Sequence, residues 1–424
     1  MKILWLTNNI LPTVAGRSGR SVCNTIGWTD RLSQKLISDA DVSLVSMYPD
    51  CGSCTHVCGE DGNLKWYGFY SPKIAQVSYD NKRYEYFRSV LMKEKPDIVH
   101  IWGTEYSHAA EMTDAAKGLA PVVISVQGLI SECAKVYTDG IPETVVSGRT
   151  FHDIVRRDGI AEQKARFEKR GELEIKALKD ARYVMGRTDW DRSNVMRIDP
   201  DTLYYDCGEI LRDVFYTDEA WSYDRCDKHS IFMSQAYYPI KGMHVALEVL
   251  RLIKKEYPDV VLRTTGRDPR CRSLADRLRQ NTYERYVSCK IREYGLDENI
   301  EYLGNLDASG MKKMYLKSNV FLQASLIENS SNSLGEAMIT GCPVVATNVG
   351  GTSSVLGEYG KAGLFDISDP AKAAEKISDI FKGTGPADAE VLSGIRQHAK
   401  SMYDADRIAA QYRECYADII GRRA

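Results

Sequence analysis

Short apolar, β-rich runs alternate with stretches of helical periodicity through both halves of the chain, and this alternation limits the possible folds more than any other feature. The runs in the first half are Ile3–Thr7, Val42–Ser46, Ile98–Ile101, Val122–Gln127 and Tyr183–Gly186. Those in the second half are Ile231–Gln235, Val260–Gly266, Ile300–Leu303, Val320–Ala324 and Val344–Thr347. The helical stretches include Arg83–Lys95, Ile160–Asp180, Met243–Glu256, Leu274–Tyr294, Ala308–Ser318 and Ser333–Thr340. Apolar strands alternating with helices indicate parallel sheets covered on both faces, so the sequence predicts an α/β protein with two doubly wound domains in tandem.

The length of the chain agrees with two domains. At 424 residues it exceeds one ordinary core, and two domains of roughly 200 residues each are the natural expectation. Between Glu209 and Ser230 the periodicity is lost and Asp, Tyr and Arg are frequent, which predicts a linker. The predicted domains are therefore residues 1–212 and 213–401. In doubly wound folds ligands bind beyond the carboxyl ends of the strands, and two facing domains form a cleft.

Charge and hydropathy exclude several classes of protein. The formal net charge of -2 argues against a nucleic-acid partner, because phosphate-driven affinity requires an excess of basic residues. The apolar run Met1–Leu6 is too short for a signal-peptide core or a membrane span, and no long apolar stretch follows. We therefore expect a cytoplasmic protein, at the inner face of the membrane if it contacts lipid, with at most peripheral membrane contact.

Four potential metal ligands lie close together in the sequence: Cys51, Cys54, His56 and Cys58. Such spacing is compatible with zinc or with part of an iron–sulfur cluster. A second ligand pair, which structural zinc sites usually have, is missing nearby. We therefore favour a polar loop with free thiols and leave metal binding by these cysteines open.

The segment from Ser325 to Gly351 carries the strongest local signal for chemistry. It reads Ser-Leu-Ile-Glu-Asn-Ser-Ser-Asn-Ser-Leu-Gly-Glu-Ala-Met-Ile-Thr-Gly-Cys-Pro-Val-Val-Ala-Thr-Asn-Val-Gly-Gly. A Ser/Asn loop leads into a helix that we expect to end at Gly341. A helix N-terminus presents unpaired amides and the positive end of a dipole, which suits a diphosphate. Glu328 and Glu336 flank the loop, and carboxylates accept hydrogen bonds from sugar hydroxyls. A capping box between residues 333 and 336 would explain part of this pattern equally well.

The full combination of Glu, seven residues, Glu-Ala-Met, Gly-x-Pro-Val-Val-Ala and Gly-Gly resembles the Glu-x7-Glu signature of the family 4 retaining glycosyltransferases. Further matches follow the family in order along the chain, at Lys241-Gly242, Thr265-Gly266, Tyr302-Leu303-Gly304 and Gly350-Gly351. The resemblance implies the GT-B fold, which has two Rossmann-like doubly wound domains facing a central cleft. It also implies that a helix in residues 402–424 packs back onto the first domain.

The resemblance assigns roles to residues that would bind the donor. Glu336 matches the carboxylate that holds the nucleotide ribose, Glu328 the one that contacts hydroxyls of the donor sugar, and Lys241 the cation that meets the diphosphate. A covalent role for Glu328 is not assigned. Residues expected to shape the diphosphate site are Gly242 and the amides of Asn332, Ser333 and Leu334. Gly16 and Gly19 match a glycine-rich loop near donor phosphate and acceptor, although an ordinary turn explains them equally well.

The chain departs from the family pattern in two places. Many relatives carry an Arg five or six residues before the lysine, where this chain has Gln235 and Ala236. A second positive charge must therefore come from elsewhere or be absent. Many relatives also have His-Gly where this chain has Gln127 and Gly128. A glutamine can hydrogen-bond a sugar hydroxyl, but it cannot carry a proton as histidine can.

Acceptor contacts are expected in the first domain. Trp102 and Glu105 lie at or just past the end of a buried strand, and His108 is near, on the side where ligands bind. A loop or core role is about as plausible for each of them. The following basic stretch could favour an anionic membrane: Arg156, Arg157, Lys164, Arg166, Lys169 and Arg170. Interspersed glutamates make a solvated helix the better interpretation.

The spacing of Asp189 and Asp191 is that of a metal-binding Asp-x-Asp. We favour a helix cap at Thr188 or Asp189, because such caps are common. We therefore predict an enzyme without cofactor or metal, in which Lys241 and helix amides meet the leaving diphosphate.

The activity implied by the resemblance is transfer of a hexosyl or related sugar from a nucleoside-diphosphate sugar, with a UDP-sugar slightly favoured. A saccharide or lipid-linked acceptor in bacterial surface polysaccharide synthesis is the family-level expectation. A nucleotide-sugar epimerase of the same two-domain fold is the alternative. The motif Gly-x-Gly-x-x-Gly is absent after the first strand, which argues against a dinucleotide oxidoreductase.

Overall fold

The computed structural model describes residues 1–20, 27–50, 57–72, 77–271 and 273–422. The chain divides into two compact units, each assembled from segments that are distant in sequence. The first unit contains residues 1–132, 166–213 and 403–424, and the second contains residues 133–165 and 214–402. The predicted first domain included residues 133–165, which the structure instead assigns to the second unit. None of the described helices combines the length and the apolarity needed to cross a lipid bilayer.

The first unit is built on an eight-stranded sheet. Its strands are β1 (Lys2–Leu6), β2 (Ser43–Asp50), β3 (Val57–Asp61), β4 (Leu64–Tyr70), β5 (Ile98–Trp102), β6 (Val122–Ser125), β7 (Tyr183–Gly186) and β8 (Leu203–Asp206). Their order is β3-β4-β2-β1-β5-β6-β7-β8, and neighbouring strands are parallel except for β3 with β4. Every residue of β5, β6 and β7 is buried, as expected for strands covered on both faces.

The second unit is built on a six-stranded parallel sheet. Its strands are β9 (Asp227–Met233), β10 (Val261–Thr264), β11 (Ile300–Tyr302), β12 (Ser318–Gln323), β13 (Val344–Thr347) and β14 (Leu364–Phe365). Their order is β11-β10-β9-β12-β13-β14. Two largely parallel sheets in an α/β chain confirm the predicted fold class of two doubly wound domains.

The helices follow the strands in chain order. They are α1 (Pro12–Arg17), α2 (Gly27–Ile37), α3 (Asn81–Glu94), α4 (His108–Ala116), α5 (Ile130–Val136), α6 (Glu143–Val146), α7 (Phe151–Arg156), α8 (Ile160–Asp180), α9 (Asp189–Ile198), α10 (Met243–Ile253), α11 (Leu274–Arg279), α12 (Thr282–Glu293), α13 (Ala308–Lys317), α14 (Asn332–Thr340), α15 (Thr352–Gly360), α16 (Pro370–Phe381), α17 (Ala389–Met402) and α18 (Ala405–Gly421). The helical stretch predicted over residues 274–294 is divided into α11 and α12. The division arises because Asn281 caps α12 in a reciprocal capping box with Glu284.

The C-terminal helix α18 completes the core of the first unit. The hydroxyl of its Tyr416 accepts a hydrogen bond from Trp5 Nε1 at 3.1 Å and lies 2.6 Å from His100 Nδ1. Tyr412 of the same helix stacks on Trp102 with ring centroids 5.6 Å apart. Burial lowers the pKa of His100 well below its ordinary value, so this histidine is a neutral member of the core.

Candidate functional site

The two central strands of the second sheet define the position of its ligand crevice. Strand β9 continues through β10 to one edge of the sheet, whereas β12 continues through β13 to the other. The chain therefore leaves β9 and β12 toward opposite edges of the sheet, which leaves a crevice between the two loops at the carboxyl ends of these strands. Such a topological switch point is where open α/β sheets bind ligands. Lys241 stands on the loop after β9, and Glu328 stands on the loop after β12.

Two glycines, one after β9 and one after β13, allow close backbone approaches to the loop after β12. Gly242 has φ +69°, and a Cβ there would lie 1.8 Å from the carbonyl oxygen of Ala324. Gly350 has φ +55°, and a Cβ there would lie 1.9 Å from the carbonyl oxygen of Glu328. The amide of Gly351 donates to that same Glu328 oxygen at 2.9 Å. The Lys-Gly and Gly-Gly elements of the sequence thus fix the backbone on both sides of Glu328.

Lys241 and Glu328 form an ion pair in this crevice. Lys241 Nζ donates to Glu328 Oε1 at 2.6 Å, and Ser325 Oγ donates to the same oxygen at 2.8 Å. The two charged side chains are only 21% and 13% exposed. Burial lowers the pKa of Lys241, but the adjacent Glu328 carboxylate outweighs it and holds that pKa above its usual value. The sequence assigned these two residues separate roles and gave no sign that they bind each other.

Helix α14 begins at the crevice, and its cap is Ser331. The hydroxyl of Ser331 accepts from the amide of Leu334 at 3.4 Å. A capping box between Ser333 and Glu336 is therefore not the reason for that part of the motif. The amide of Leu334 already has this partner, which leaves the amides of Asn332 and Ser333 as the first-turn donors suited to an anion. Gly341 ends the helix with φ +78°, as predicted.

Glu336 lies deeper than the sequence suggested. It is 3% exposed, and its Oε2 accepts a hydrogen bond from the hydroxyl of Tyr315 at 3.2 Å. Tyr315 belongs to α13 and is itself fully buried. Because a buried carboxylate requires partners, any substitution of Glu336 affects the packing of the second unit as well as ligand contacts.

A second crevice of this unit is lined by residues at or just past the carboxyl ends of β9, β10 and β11. The lining includes Ala236, Tyr237, Thr265, Arg267 and Tyr302. The amide of Gly266 donates to the carbonyl of Gly304 at 2.9 Å, which joins the two loops. Arg267 is half exposed and donates to Glu284 Oε2 at 2.8 Å. Sequence reasoning missed Arg267, although it comes directly after the Thr265-Gly266 match.

The first sheet has its own switch point between β1 and β5. Asn8, just past β1, donates through Nδ2 to Glu105 Oε2 at 2.6 Å. Its Oδ1 lies 2.8 Å from His108 Nε2, so that nitrogen carries the proton. Burial raises the pKa of Glu105 to about 7. Burial, and then the charge of Arg83, lower the pKa of His108 to about 3.

The structure separates the three acceptor candidates. Trp102 is 3% exposed and His108 is 1% exposed. Trp102 packs edge-on to Trp5, with ring centroids 4.9 Å apart. Both candidates therefore pack within the core of the first unit. Glu105 alone among them is partly open to solvent.

Three residues of the first unit were predicted to border the donor: Gly16, Gly19 and Gln127. Gly16 lies within helix α1, so the expected glycine-rich loop is wrong there, while Gly19 lies in the turn that follows, with φ +68°. Gln127 is partly exposed just past β6, and its backbone carbonyl accepts from Arg187 Nη2 at 3.5 Å. Arg187 also forms a buried ion pair with Glu209.

The potential metal ligands have other partners or lie outside the described residues. Thr188 caps α9 in a capping box with Asp191, as favoured from the sequence. Asp191 also accepts hydrogen bonds from the Tyr204 hydroxyl and from the Arg187 amide. Cys51, Cys54 and His56 lie outside the described residues, and Cys58 is exposed on β3. Within the described ranges, no three His, Cys, Asp or Glu side chains are grouped as a metal site would require.

The fold and the switch-point crevice define a class: two-unit α/β proteins of the GT-B type. Sucrose-phosphate synthase from Thermosynechococcus elongatus has this fold, with a TM-score of 0.70, 16% identity and full coverage of both chains. HepE from Anabaena, solved in complex with UDP-glucose, has a TM-score of 0.65 at 13% identity and covers 99% of this chain and 100% of its own. Identities this low establish the fold alone.

Residues 223–397 match the family described as glycosyl transferases group 1. The matched segment contains β9–β14 with Lys241, Glu328 and Glu336, all within the second unit. Spore coat protein SA of Bacillus subtilis is 25% identical over 182 residues, 42% of this chain and 45% of the relative. D-inositol 3-phosphate glycosyltransferase of Corynebacterium urealyticum is 26% identical over 191 residues, 42% and 41% of the two chains. The similarity thus spans less than half the length of these curated relatives.

Proposed function

We propose that this protein is a retaining glycosyltransferase that moves a hexosyl or related sugar from a nucleoside-diphosphate sugar to a saccharide or lipid-linked acceptor. The observation that carries the proposal is the Lys241–Glu328 ion pair at the switch point of the second sheet. The family match of residues 223–397 supports sugar transfer. A UDP-sugar is slightly favoured as donor, in keeping with the UDP-glucose complex of HepE. We further propose a cytoplasmic role in bacterial surface polysaccharide synthesis.

The ion pair prepares the site for a diphosphate. In the protein alone, Glu328 satisfies the charge of Lys241 at 2.6 Å. A bound diphosphate offers more negative charge than one carboxylate and competes for the lysine. Glu328 keeps its hydrogen bond from Ser325 Oγ at 2.8 Å and is then free to accept from hydroxyls of the donor sugar. Donor binding thus replaces the contact between Lys241 and Glu328 by two others, one from Lys241 to the diphosphate and one from a sugar hydroxyl to Glu328.

The chemical step follows from this exchange. The acceptor oxygen attacks the anomeric carbon on the face from which the nucleotide leaves, and the bond from that carbon to the phosphate oxygen breaks with its electron pair on the phosphate. The acceptor proton passes to the leaving phosphate oxygen. Lys241 and the amides of Asn332 and Ser333 stabilise the negative charge that develops there. This route needs no protein base, which fits Gln127 at the position where many relatives carry His.

Arg267 is proposed as the second positive charge, since Gln235 and Ala236 supply none. It lines a crevice with Ala236 and Thr265, within the same unit as Lys241. Replacing it with Met should weaken UDP binding about tenfold, because a hydrogen bond to a charged group is lost. Uridine, which lacks the diphosphate, should bind the variant as it binds the wild type. An equal loss for both ligands in calorimetry would assign Arg267 to the nucleoside instead.

The direct test is turnover of the purified protein with a panel of UDP-, GDP- and ADP-sugars and with saccharide and polyprenyl acceptors. Release of nucleoside diphosphate measures transfer, and proton NMR of the product reports the anomeric configuration. We expect product with the configuration of the donor, and strongly reduced transfer by Glu328→Gln. Inverted product would refute the retaining mechanism. Epimerised donor formed without acceptor would identify a nucleotide-sugar epimerase instead.

A further inference from the structure

Large apolar side chains are exposed at few positions of the described chain, and most of them are concentrated on two helices. Among the residues that the structure describes, nine large hydrophobic side chains are exposed, and five of them belong to α7 and α11. These five are Phe151, Ile154, Val155, Leu274 and Leu278, with exposures of 61%, 61%, 62%, 80% and 55%. The two helices contact each other within the second unit. We call these five residues the apolar patch.

Helix α7 has its apolar face turned outward. Phe151, Ile154 and Val155 follow the i, i+3, i+4 spacing that places side chains on one helix face. The buried residue of this helix is instead the charged Asp153. Asp153 is held by its capping partner Thr150 and accepts from the amide of Thr282 at 2.9 Å. Because polar contacts anchor the inner face, the outward position of the apolar face is fixed by the structure.

Helix α11 adds to the same surface. None of its residues is buried, and Leu274 and Leu278 are four apart on one face. Phe151 of α7 and both leucines line one open groove. An apolar surface of this kind on a soluble domain indicates a contact with another molecule or a membrane.

The charges around the apolar patch identify the partner. Arg149, Arg277 and Arg285 line the same groove, and Arg156 is exposed at the end of α7. Arg149 is paired with Glu162. Arg156, Arg277 and Arg285 have no ion-pair partner among the residues that the structure describes. Apolar side chains surrounded by unpaired arginines are the combination that binds the interface of an anionic bilayer.

We propose that α7 and α11 form a docking surface for an anionic lipid membrane. The five apolar side chains enter the interface between headgroups and acyl chains, while Arg156, Arg277 and Arg285 meet lipid phosphates. The surface lies outside the sugar-nucleotide crevice residues, so it acts independently of the proposed transferase activity. It would hold the second unit at the membrane surface. The sequence had favoured a solvated helix for the basic residues from 156 to 170, without the apolar face that the structure shows.

The test is co-sedimentation of the full chain with vesicles of 70% phosphatidylcholine and 30% phosphatidylglycerol, with pure phosphatidylcholine vesicles alongside. We expect binding to the anionic vesicles that is released by high salt. The double variant Phe151→Ser/Leu274→Ser should lower the partition coefficient at least about tenfold, since each apolar side chain leaves the lipid. Arg277→Glu/Arg285→Glu should lower it at least about twentyfold through lost attraction to phosphate.

Matched controls separate the patch from general surface effects. Met92→Ser removes a 59% exposed apolar side chain from the first unit, and Arg292→Glu reverses an exposed charge on α12 outside the groove. Both should bind vesicles as the wild type does, and all four variants should keep wild-type affinity for UDP, which reports an intact fold.

Failure to bind anionic vesicles would overturn the proposal. So would binding that survives the apolar double variant. Self-association lost in that variant, in the absence of vesicle binding, would assign the patch to a second copy of the chain instead.

Discussion

Replacing Lys241 tests the exchange between the ion pair and the bound diphosphate. In the protein alone the lysine ammonium lies 2.6 Å from Glu328, with its side chain 21% exposed. In the proposed mechanism, Lys241 gives up this contact for a similar one to phosphate when the donor binds. The net gain in donor affinity is therefore small, and Lys241→Met should weaken donor binding by less than about tenfold. The main effect should appear when the nucleotide leaves.

The magnitude in the transition state is larger because negative charge grows on the leaving phosphate oxygen. Removal of one preorganised donor from a site of developing charge typically lowers kcat by about 10²–10³-fold, or about 2.7–4 kcal/mol. Lys241→Arg should recover part of this loss, since the guanidinium keeps the charge but differs in shape. Gln235 and Ala236 carry no charge, so the proposed contribution of Arg267 is what remains to offset part of the loss in the Met variant.

Steady-state kinetics at saturating acceptor, together with calorimetry of donor binding, measure the two effects separately. Lys290→Met is a matched control, because Lys290 is also 21% exposed in the same unit and is paired with Glu248 at 3.5 Å. It should leave kcat unchanged. A Lys241 variant with normal kcat and only a raised donor KM would show that this lysine acts in binding alone.

Three further predictions concern the remaining groups. Glu336→Gln should weaken UDP affinity about ten- to a hundredfold in calorimetry by loss of a charged hydrogen bond to ribose. Tyr315→Phe, which removes the hydroxyl at 3.2 Å from Glu336, should keep UDP affinity within a fewfold. Unchanged UDP affinity of Glu336→Gln would count against the ribose role. Transfer should persist in excess EDTA, and loss of activity restored by magnesium or manganese would show that a metal meets the diphosphate. Because the pKa of Glu105 is raised to about 7, the folded protein binds more protons than the unfolded chain between about pH 4.5 and 7, and the free energy of unfolding falls as the pH rises through this window. Glu105→Gln should remove that fall, about 1–3 kcal/mol in urea titrations at pH 5 and pH 8, and identical pH dependence of both proteins would disprove the burial argument.

Much of the fold was predictable because β5, β6, β7, β12 and β13 are buried on both faces. The runs at Tyr183–Gly186 and Val344–Thr347 match β7 and β13 residue for residue. The hairpin of β3 and β4 escaped prediction because Gly59 and Gly68 interrupt its periodicity. A Cβ at Gly59 would lie 2.3 Å from the ring of Trp66, so the glycine is needed to admit that ring. Such a contact between strands cannot be read from either run alone.

The sequence predicted which residues form the candidate site better than it predicted how those residues contact one another. The sequence indicated Lys241, Glu328 and the start of α14 because helix starts, glycines and carboxylates have local signatures. It could not show that Lys241 and Glu328 pair with each other, since the contact joins loops from different strands. The deep burial of Glu336 against Tyr315 depends likewise on how α13 packs. The outward apolar face of α7 went unnoticed because amphipathic spacing does not say which face is buried.

The last helix of the chain determines when the first unit can become complete during synthesis. Trp5 and His100 lie on early strands, yet both direct a nitrogen at the hydroxyl of Tyr416 in α18. A nascent chain that has released residues 1–213 holds every strand of the first sheet but lacks this partner. The two rings then lack the packing partner that buries them, because residues 214–402 of the second unit are synthesised before α18. The first unit therefore begins to form early and is completed last, and in a ribosome-stalled chain ending before residue 403 the fluorescence of Trp5 should be open to soluble quenchers.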